Sequence, residues 1–525
     1  MVTTQECLRY LQTGAVTKGD ADISGKGVIL AFLISAYVSF TAVLVAYVTG
    51  MLEDELLTTV DRRIMRIKSR KDKHPRIHET IQHIVLLLSD QQIVTGIAIM
   101  AAGFVGLRGG QMSVYHYQIV LYLSWLSSSV HLSALTLLRP FLNKHQGLRA
   151  WRLLGMIVLF FMLIVGLVPT VSYDWGTIYS PKADTSLPDA MQPTGWGIPA
   201  ICFWGKTYGD GFNDDAPIGY LILIFSYVWK MGDLFVSPRN LYNRTIRGPL
   251  ENFIAKTLSV FARRYMQDGN ALWLWCFRGL LVIWIPLVAF MEAMASFSAS
   301  LWLSALGLVF GTIQIVIPRY QNLAQTAAQE SEWGFGQLVP LVLLVQPIGA
   351  ISEHAWIRQG GTIESNISEP VRRQTTGSST SDHGPESEPL VDDRDRHLIT
   401  PRRLVEVLGQ RQASYEMPAE IASRSAVFMN TVLSSRLFGS VIAILHITIL
   451  GAACVILSFD AQSIGYERGQ NWTYALIAIG VYASASWLAV LIFGPYSRLG
   501  RKPSQRRATL QHETHGLQKL PPSSS

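Results

Sequence analysis

The chain has 525 residues, of which 49% are hydrophobic and only 15% charged, and its mean hydropathy is +0.26. Such a composition excludes an ordinary soluble domain and describes an all-α, polytopic membrane protein. The net charge of +7 and pI near 9.1 do not require a nucleic-acid partner, because the basic residues stand in blocks beside the apolar runs, where the positive-inside rule accounts for them.

Ten apolar runs follow in order, at 27–50, 83–108, 113–138, 151–173, 217–237, 271–297, 299–318, 333–352, 435–458 and 472–495. Each approaches the 20 or so residues that cover a hydrocarbon core of about 30 Å at about 1.5 Å per residue. Residues 1–26 are polar, and the first run lacks a small-residue cleavage site, so it is expected to act as an uncleaved anchor. The segment 60–80 carries eight Lys/Arg against three acids, which predicts a cytoplasmic location and an external N-terminus. The next connections agree: 139–152 has four bases and no acid, 238–268 has six bases against two acids, and the acidic loop 174–216 falls outside.

A cytoplasmic tail is demanded by Arg498, Arg501, Lys502, Arg506 and Arg507, whereas ten spans from an external N-terminus would leave it outside. One run therefore does not cross, giving about nine spans (eight to ten). Pro340, Pro347 and three glycines make 333–352 a re-entrant or surface segment; failure of 271–297 or 299–318 to cross is the alternative. The stretch GPLENFIAKTLSVFARRYM places Leu250, Phe253, Ile254, Leu258, Phe261 and Tyr265 at helical spacing after Pro249, as in a helix lying on the membrane. Around 358–400 the composition turns to Ser, Thr, Glu, Asp and Pro without apolar periodicity. The expected organisation is an extracytoplasmic segment 1–26, a main bundle 27–352, a largely disordered linker 353–430, a two-span unit 431–497 and a basic tail 498–525.

The stretch from His83 to Arg139 is the expected functional site. It is a hairpin about a Gly109–Gly110 turn, and each arm carries more polar groups than a span normally tolerates. The first arm holds Asp90, Gln91 and Gln92; the second holds His116, Gln118, Tyr122, Trp125 and His131. The second is polar on two faces, so it has no side to offer to lipid and is expected to be central. Asp90 and His131 fall at similar depth. Two readings stay open: Asp90 as a desolvated proton donor beside His131, or Asp90 and the glutamines as inter-helix hydrogen-bond partners, each contributing about 1 kcal/mol. Glu292, near the outer end of its run, is a second acid or an interfacial group.

Cys7 and Cys202 fall on the predicted outer or lumenal side, where a disulfide between them is permitted. Asn366 and Asn471 sit in glycosylation sequons whose use depends on topology. No spacing of Cys, His or acids forms a metal motif, and no phosphate loop, HExxH, GxSxG or CxxC occurs, so neither metal nor cofactor is expected.

At LSDQQIVTGIAI (88–99), VYHYQIVLYLSWLSSSVHLSALTLLR (114–139) and EWGFGQLVPLVLL (332–344) the chain resembles a large fungal family of multispan proteins that accompany secondary-metabolite pathways, related to the membrane-bound terpene cyclases of ascofuranone and macrophorin biosynthesis. The resemblance covers about residues 25–352 and implies metal-independent, proton-triggered closure of a prenyl or epoxyprenyl chain. Asp90 would then be the donor, Glu292 or His131 its auxiliary, and Gln91, Gln92, His116, Gln118, Tyr122 and Trp125 the binding wall. A hydrophobic prenylated small molecule and the lipid bilayer are the implied partners. The competing class is a receptor-like or transport-related membrane protein. The endoplasmic reticulum or another endomembrane is the expected location, with the plasma membrane as the alternative.

Overall fold

A computed structural model describes residues 2–176 apart from 173, then 191–204, 215–235, 247–345, 436–463 and 471–493, with isolated residues at 245, 349 and 352. Among these residues the structure is helical, with two isolated β-bridges, Ala15 to Thr194 and Ser113 to Pro199. Seven helices are long and apolar enough to cross a membrane. Two compact units divide the chain: Met1–Ile246 with Met291–Gly384 and Ile447–Gly480, and Arg247–Phe290 with Pro385–His446 and Val481–Ser525.

The first unit opens with α1 (Thr4–Thr13), closed at its start by a reciprocal Thr3/Glu6 capping box. A short turn, α2 (Ala21–Ser24), leads into the apolar α3 (Lys26–Thr49), which ends at Gly50 with φ +74°, a left-handed cap that glycine adopts without strain. After α4 (Thr59–Arg63), Pro75 begins α5 (Pro75–Gly109), where its missing N–H and fixed φ suit a first helical turn. Gly110, at φ +67°, makes the predicted hairpin turn, and the Ser113 hydroxyl caps α6 (Val114–Lys144). Then come α7 (Gln146–Gly166), α8 (Asp215–Leu234), α11 (Phe297–Gln321), α12 (Leu323–Glu330) and α13 (Phe335–Leu343).

Helix α6 is the axis of this unit. From Val114 to Leu135 every residue is buried, against α3, α5, α7, α8 and α11. Small residues let backbones approach, which is how helices associate where lipid is as apolar as leucine. A Cβ on Gly96 would stand 2.7 Å from the Ser127 Cβ, and one on Gly103 2.7 Å from a Val120 methyl.

The N-terminal segment and the chain around 191–204 close one end of the bundle. Cys7 is disulfide-bonded to Cys202, Ala15 pairs with Thr194, and the Val114 amide donates to Ile198 O. Tryptic cutting between the cysteines is expected to leave fragments that separate on a gel only after reduction; separation without reductant would contradict the pairing.

The opposite end is organised by Asp61 of α4, which is fully buried. Its carboxylate accepts from Tyr47 OH (2.9 Å), from Thr58 N and Oγ1 (3.0 and 2.8 Å), and from Phe297 N and Ser298 N (3.0 and 3.2 Å). Helix α11 thus starts at the α4 end and finishes beside the N-terminal segment, where Trp196 Nε1 donates to Gln321 Oε1 at 3.1 Å. The turn into α11 lies at the α4 end, and Glu292, just before it, is buried.

In the second unit, α9 (Gly248–Asp268) carries Pro249 in its first turn and buries Ile254 and Leu258 while leaving Phe253 exposed. Arg264 lies 4.7 Å above the Trp273 ring at the start of α10 (Ala271–Met294), a cation–π contact. Helices α14 (Arg436–Ser463) and α15 (Asn471–Phe493) contribute to both units. Within the second, Tyr482 OH donates to Pro286 O at 2.9 Å. Asn366 and the side chain of Asn471 lie outside the described residues.

Candidate functional site

The hairpin residues divide by what they touch. Gln92 bridges three helices: its Nε2 donates to Ser35 Oγ of α3 (2.6 Å) and its Oε1 accepts from Ser127 Oγ of α6 (2.8 Å). One turn on, Ser124 Oγ donates to Gly96 O (3.2 Å), fixing the antiparallel register of α5 and α6. Gln118 does the same higher in α6, donating to Gln314 Oε1 (2.7 Å) and accepting from Trp175 Nε1 (2.8 Å). Gln91 points elsewhere, its Nε2 donating to Leu343 O at the end of α13 (3.1 Å).

Asp90 meets Arg152 of α7 rather than His131. A guanidinium nitrogen lies 2.6 Å from its carboxylate, and the same nitrogen donates to Leu86 O (2.8 Å). Only 3% of the Arg152 side chain is exposed, against 34% of Asp90. Arg152 belongs to a basic stretch that reads in sequence as a loop flank, so nothing there marks it as the partner of an acid 62 positions earlier.

His131 instead faces α8. Ser128 Oγ donates to Tyr227 OH (2.9 Å), and the same hydroxyl is hydrogen-bonded to His131 Nε2 (3.2 Å). His116 lies toward the other end of α6 and is fixed by Ser113: the amide of His116 donates to Ser113 Oγ, which is also hydrogen-bonded to Nδ1 (2.8 Å).

Tyr122 and Trp125 form an aromatic group with Phe310 of α11, with ring centroids 5.5 to 6.1 Å apart, and Trp125 Nε1 donates to Gly307 O at 3.0 Å. Trp125 also borders a narrow crevice between α6, α8 and α11, lined by Ser128, Ser129, Ser226, Lys230 and Ser304. Its free space of about 20 Å³ suits a single water. Buried Lys230 donates to Thr136 Oγ1 at 2.7 Å.

Two buried carboxylates escaped the sequence reading. Asp61 is one. The other is Glu330, wholly enclosed, which accepts from Arg319 (3.1 Å), Tyr115 OH (3.2 Å) and Ser24 Oγ (2.5 Å). Both tie distant segments together. Among the described residues no three metal-ligating side chains converge.

Among the described residues seven helices are long and apolar enough to cross a membrane, and α6, with its polar side chains, is buried among α3, α5, α7, α8 and α11, as in a polytopic helical membrane protein. Among curated proteins, the chain is similar to the elsinochromes biosynthesis cluster protein HP2 of Elsinoe fawcettii, with 25% identity over 411 residues, 68% of this chain and 99% of the relative. It is also similar to the elsinochromes biosynthesis cluster protein HP3 of the same fungus, with 34% identity over 123 residues, 23% of this chain and 48% of the relative. No family model and no solved structure matches.

Proposed function

We propose that the chain is a multi-pass membrane protein of fungal secondary metabolism that handles a small molecule without using the hairpin as an acid catalyst, in a receptor-like or transport-related role. The similarity to two biosynthesis cluster proteins supports the pathway context. The observation that carries the rest is the Asp90–Arg152 pair. A donor to an alkene or epoxide has to be a neutral acid facing a prenyl-sized space, whereas Asp90 is engaged as the carboxylate partner of a buried cation. Gln92 and Gln118 are likewise engaged between helices.

The second reading, a metal-independent terpene cyclase, draws support from the Tyr122–Trp125–Phe310 aromatic group, whose faces suit a cationic intermediate, and from buried Glu292 as an acid. The two readings separate in yeast microsomes fed epoxidised farnesyl-phenolic compounds. We expect no cyclised isomer of unchanged mass from the wild type. A cyclised product lost on Asp90→Asn would replace the proposal with a cyclase.

For topology, the proposal keeps nine spans with the N-terminus external or lumenal and the tail cytoplasmic. The disulfide supports an oxidising compartment for the N-terminal end. The direction of α11 favours 333–352 as a crossing segment and 271–297 as the one that does not cross. The main bundle 27–352, linker 353–430 and two-span unit 431–497 remain the proposed organisation, in an endomembrane.

A further inference from the structure

Where α5 and α6 meet at the α4 end, the hairpin opens into a cavity of about 370 Å³, within the size range of small-molecule sites. One wall is a stripe of α5 at four-residue spacing, His78, Gln82 and Leu86, and Leu138 and Phe141 of α6 line it too. Lys71 pairs with Glu53 at 2.9 Å, so these two charges satisfy each other, and Glu79, His83 and Lys144 also line the cavity.

The wall is polar in an unbalanced way. His78 is 3% exposed, and its Nδ1 lies 2.7 Å from Met51 O. A carbonyl only accepts, so Nδ1 carries the hydrogen and Nε2 of the neutral ring is an acceptor. That Nε2 is buried and has no hydrogen-bond partner. One turn away, the Gln82 amide nitrogen, a donor, is buried and unpartnered as well. Unmade hydrogen bonds at enclosed groups are costly, and such groups in native proteins usually have a partner to explain them.

We propose that this cavity binds a hydroxylated aromatic molecule. Its ring hydroxyl donates to His78 Nε2 and accepts from Gln82 Nε2, and its ring lies against Leu86, Leu138 and Phe141. A hydroxyl does both tasks with one atom. A carboxylate or ether accepts but does not donate, and an ammonium donates but does not accept. The inference rests on reading the chain as one that handles a small molecule, and is indifferent to whether the hairpin is catalytic.

The test uses the full purified chain in sterol-free nanodiscs with 2-naphthol as fluorescent probe and 2-methoxynaphthalene, which cannot donate, as its control. We expect saturable binding of 2-naphthol with about tenfold preference over the ether, the worth of one hydrogen bond to an otherwise unpaired buried group. His78→Phe should erase that preference. Gln82→Leu, which keeps the His78 contact to Met51 and so guards against misfolding, should weaken both ligands severalfold. Equal affinity of the wild type for the two compounds would overturn the proposal, as would a preference that survives His78→Phe in a protein with unchanged elution profile. Displacement of 2-naphthol by equimolar ergosterol would also overturn it, in favour of a membrane sterol. Equal affinity of the wild type for the two compounds removes this site alone, whereas turnover in the feeding experiment removes the non-catalytic reading alone.

Discussion

Asp61→Ala is expected to abolish accumulation of the folded protein. The carboxylate accepts five hydrogen bonds from α3, α4 and the start of α11, and every one is inside the molecule. Hydrogen bonds to a charged acceptor are worth about 1.5–3 kcal/mol each, and a buried donor left without a partner costs about 1–3 kcal/mol. Even the lower figures, summed over five bonds, approach the whole stability of a typical domain, about 5–15 kcal/mol. The packing around the site offers no refuge, since Tyr47 stacks on Phe297 with centroids 5.2 Å apart and both are buried. Asp61→Asn keeps one acceptor oxygen but turns an NH2 group toward donors, so it should fold in lower yield and melt earlier. Size-exclusion profiles of fluorescent fusions in mild detergent would rank wild type above Asn and Asn above Ala. An Ala variant with the wild-type profile and melting temperature would show that the cluster does not hold these ends together.

That cluster also marks the limit of what the sequence reveals. Asp61 lies in a basic block and reads as one solvated acid among eight bases, because apart from the local Thr58/Asp61 capping box its donors come from residues 47, 297 and 298, which no local pattern links to it. Glu330 is hidden for the same reason, its partners being residues 24, 115 and 319. The central helix, by contrast, is legible: a span with His116, Gln118 and His131 on different sides has no lipid face, and the structure buries it all round. The Gly109–Gly110 turn is legible because only glycine tolerates the left-handed cap there. Helix direction after residue 271 is not, since hydropathy counts apolar runs without saying which of them cross. For the hairpin, periodicity placed Asp90 at the depth of His131, but depth does not fix azimuth, and the rotation of α5 turns the carboxylate toward α7.

The Asp90–Arg152 pair should respond unequally to losing either member. A guanidinium cannot give up its proton, whereas a stranded carboxylate can become neutral by taking one up. With Asp90→Leu the 3%-exposed Arg152 keeps a buried charge and only Leu86 O, which should cost about 3–5 kcal/mol, the usual penalty for breaking a buried pair. Arg152→Leu strands a group that is partly exposed and able to neutralise, so about 1–3 kcal/mol is expected. The double variant Asp90→Leu/Arg152→Leu removes both charges and should return to within about 1 kcal/mol of the wild type, since apolar replacement of an ion pair is often neutral. Thermal melting of the four proteins in one detergent gives the cycle directly. Additive losses would mean that the two side chains do not interact. The same set sharpens the feeding experiment, where loss of product in Asp90→Asn alone confuses a missing acid with a stranded cation. A folded double variant lacking activity that the wild type possesses would assign Asp90 a chemical role, and a folded, active one would leave the pair as part of the α5–α7 interface.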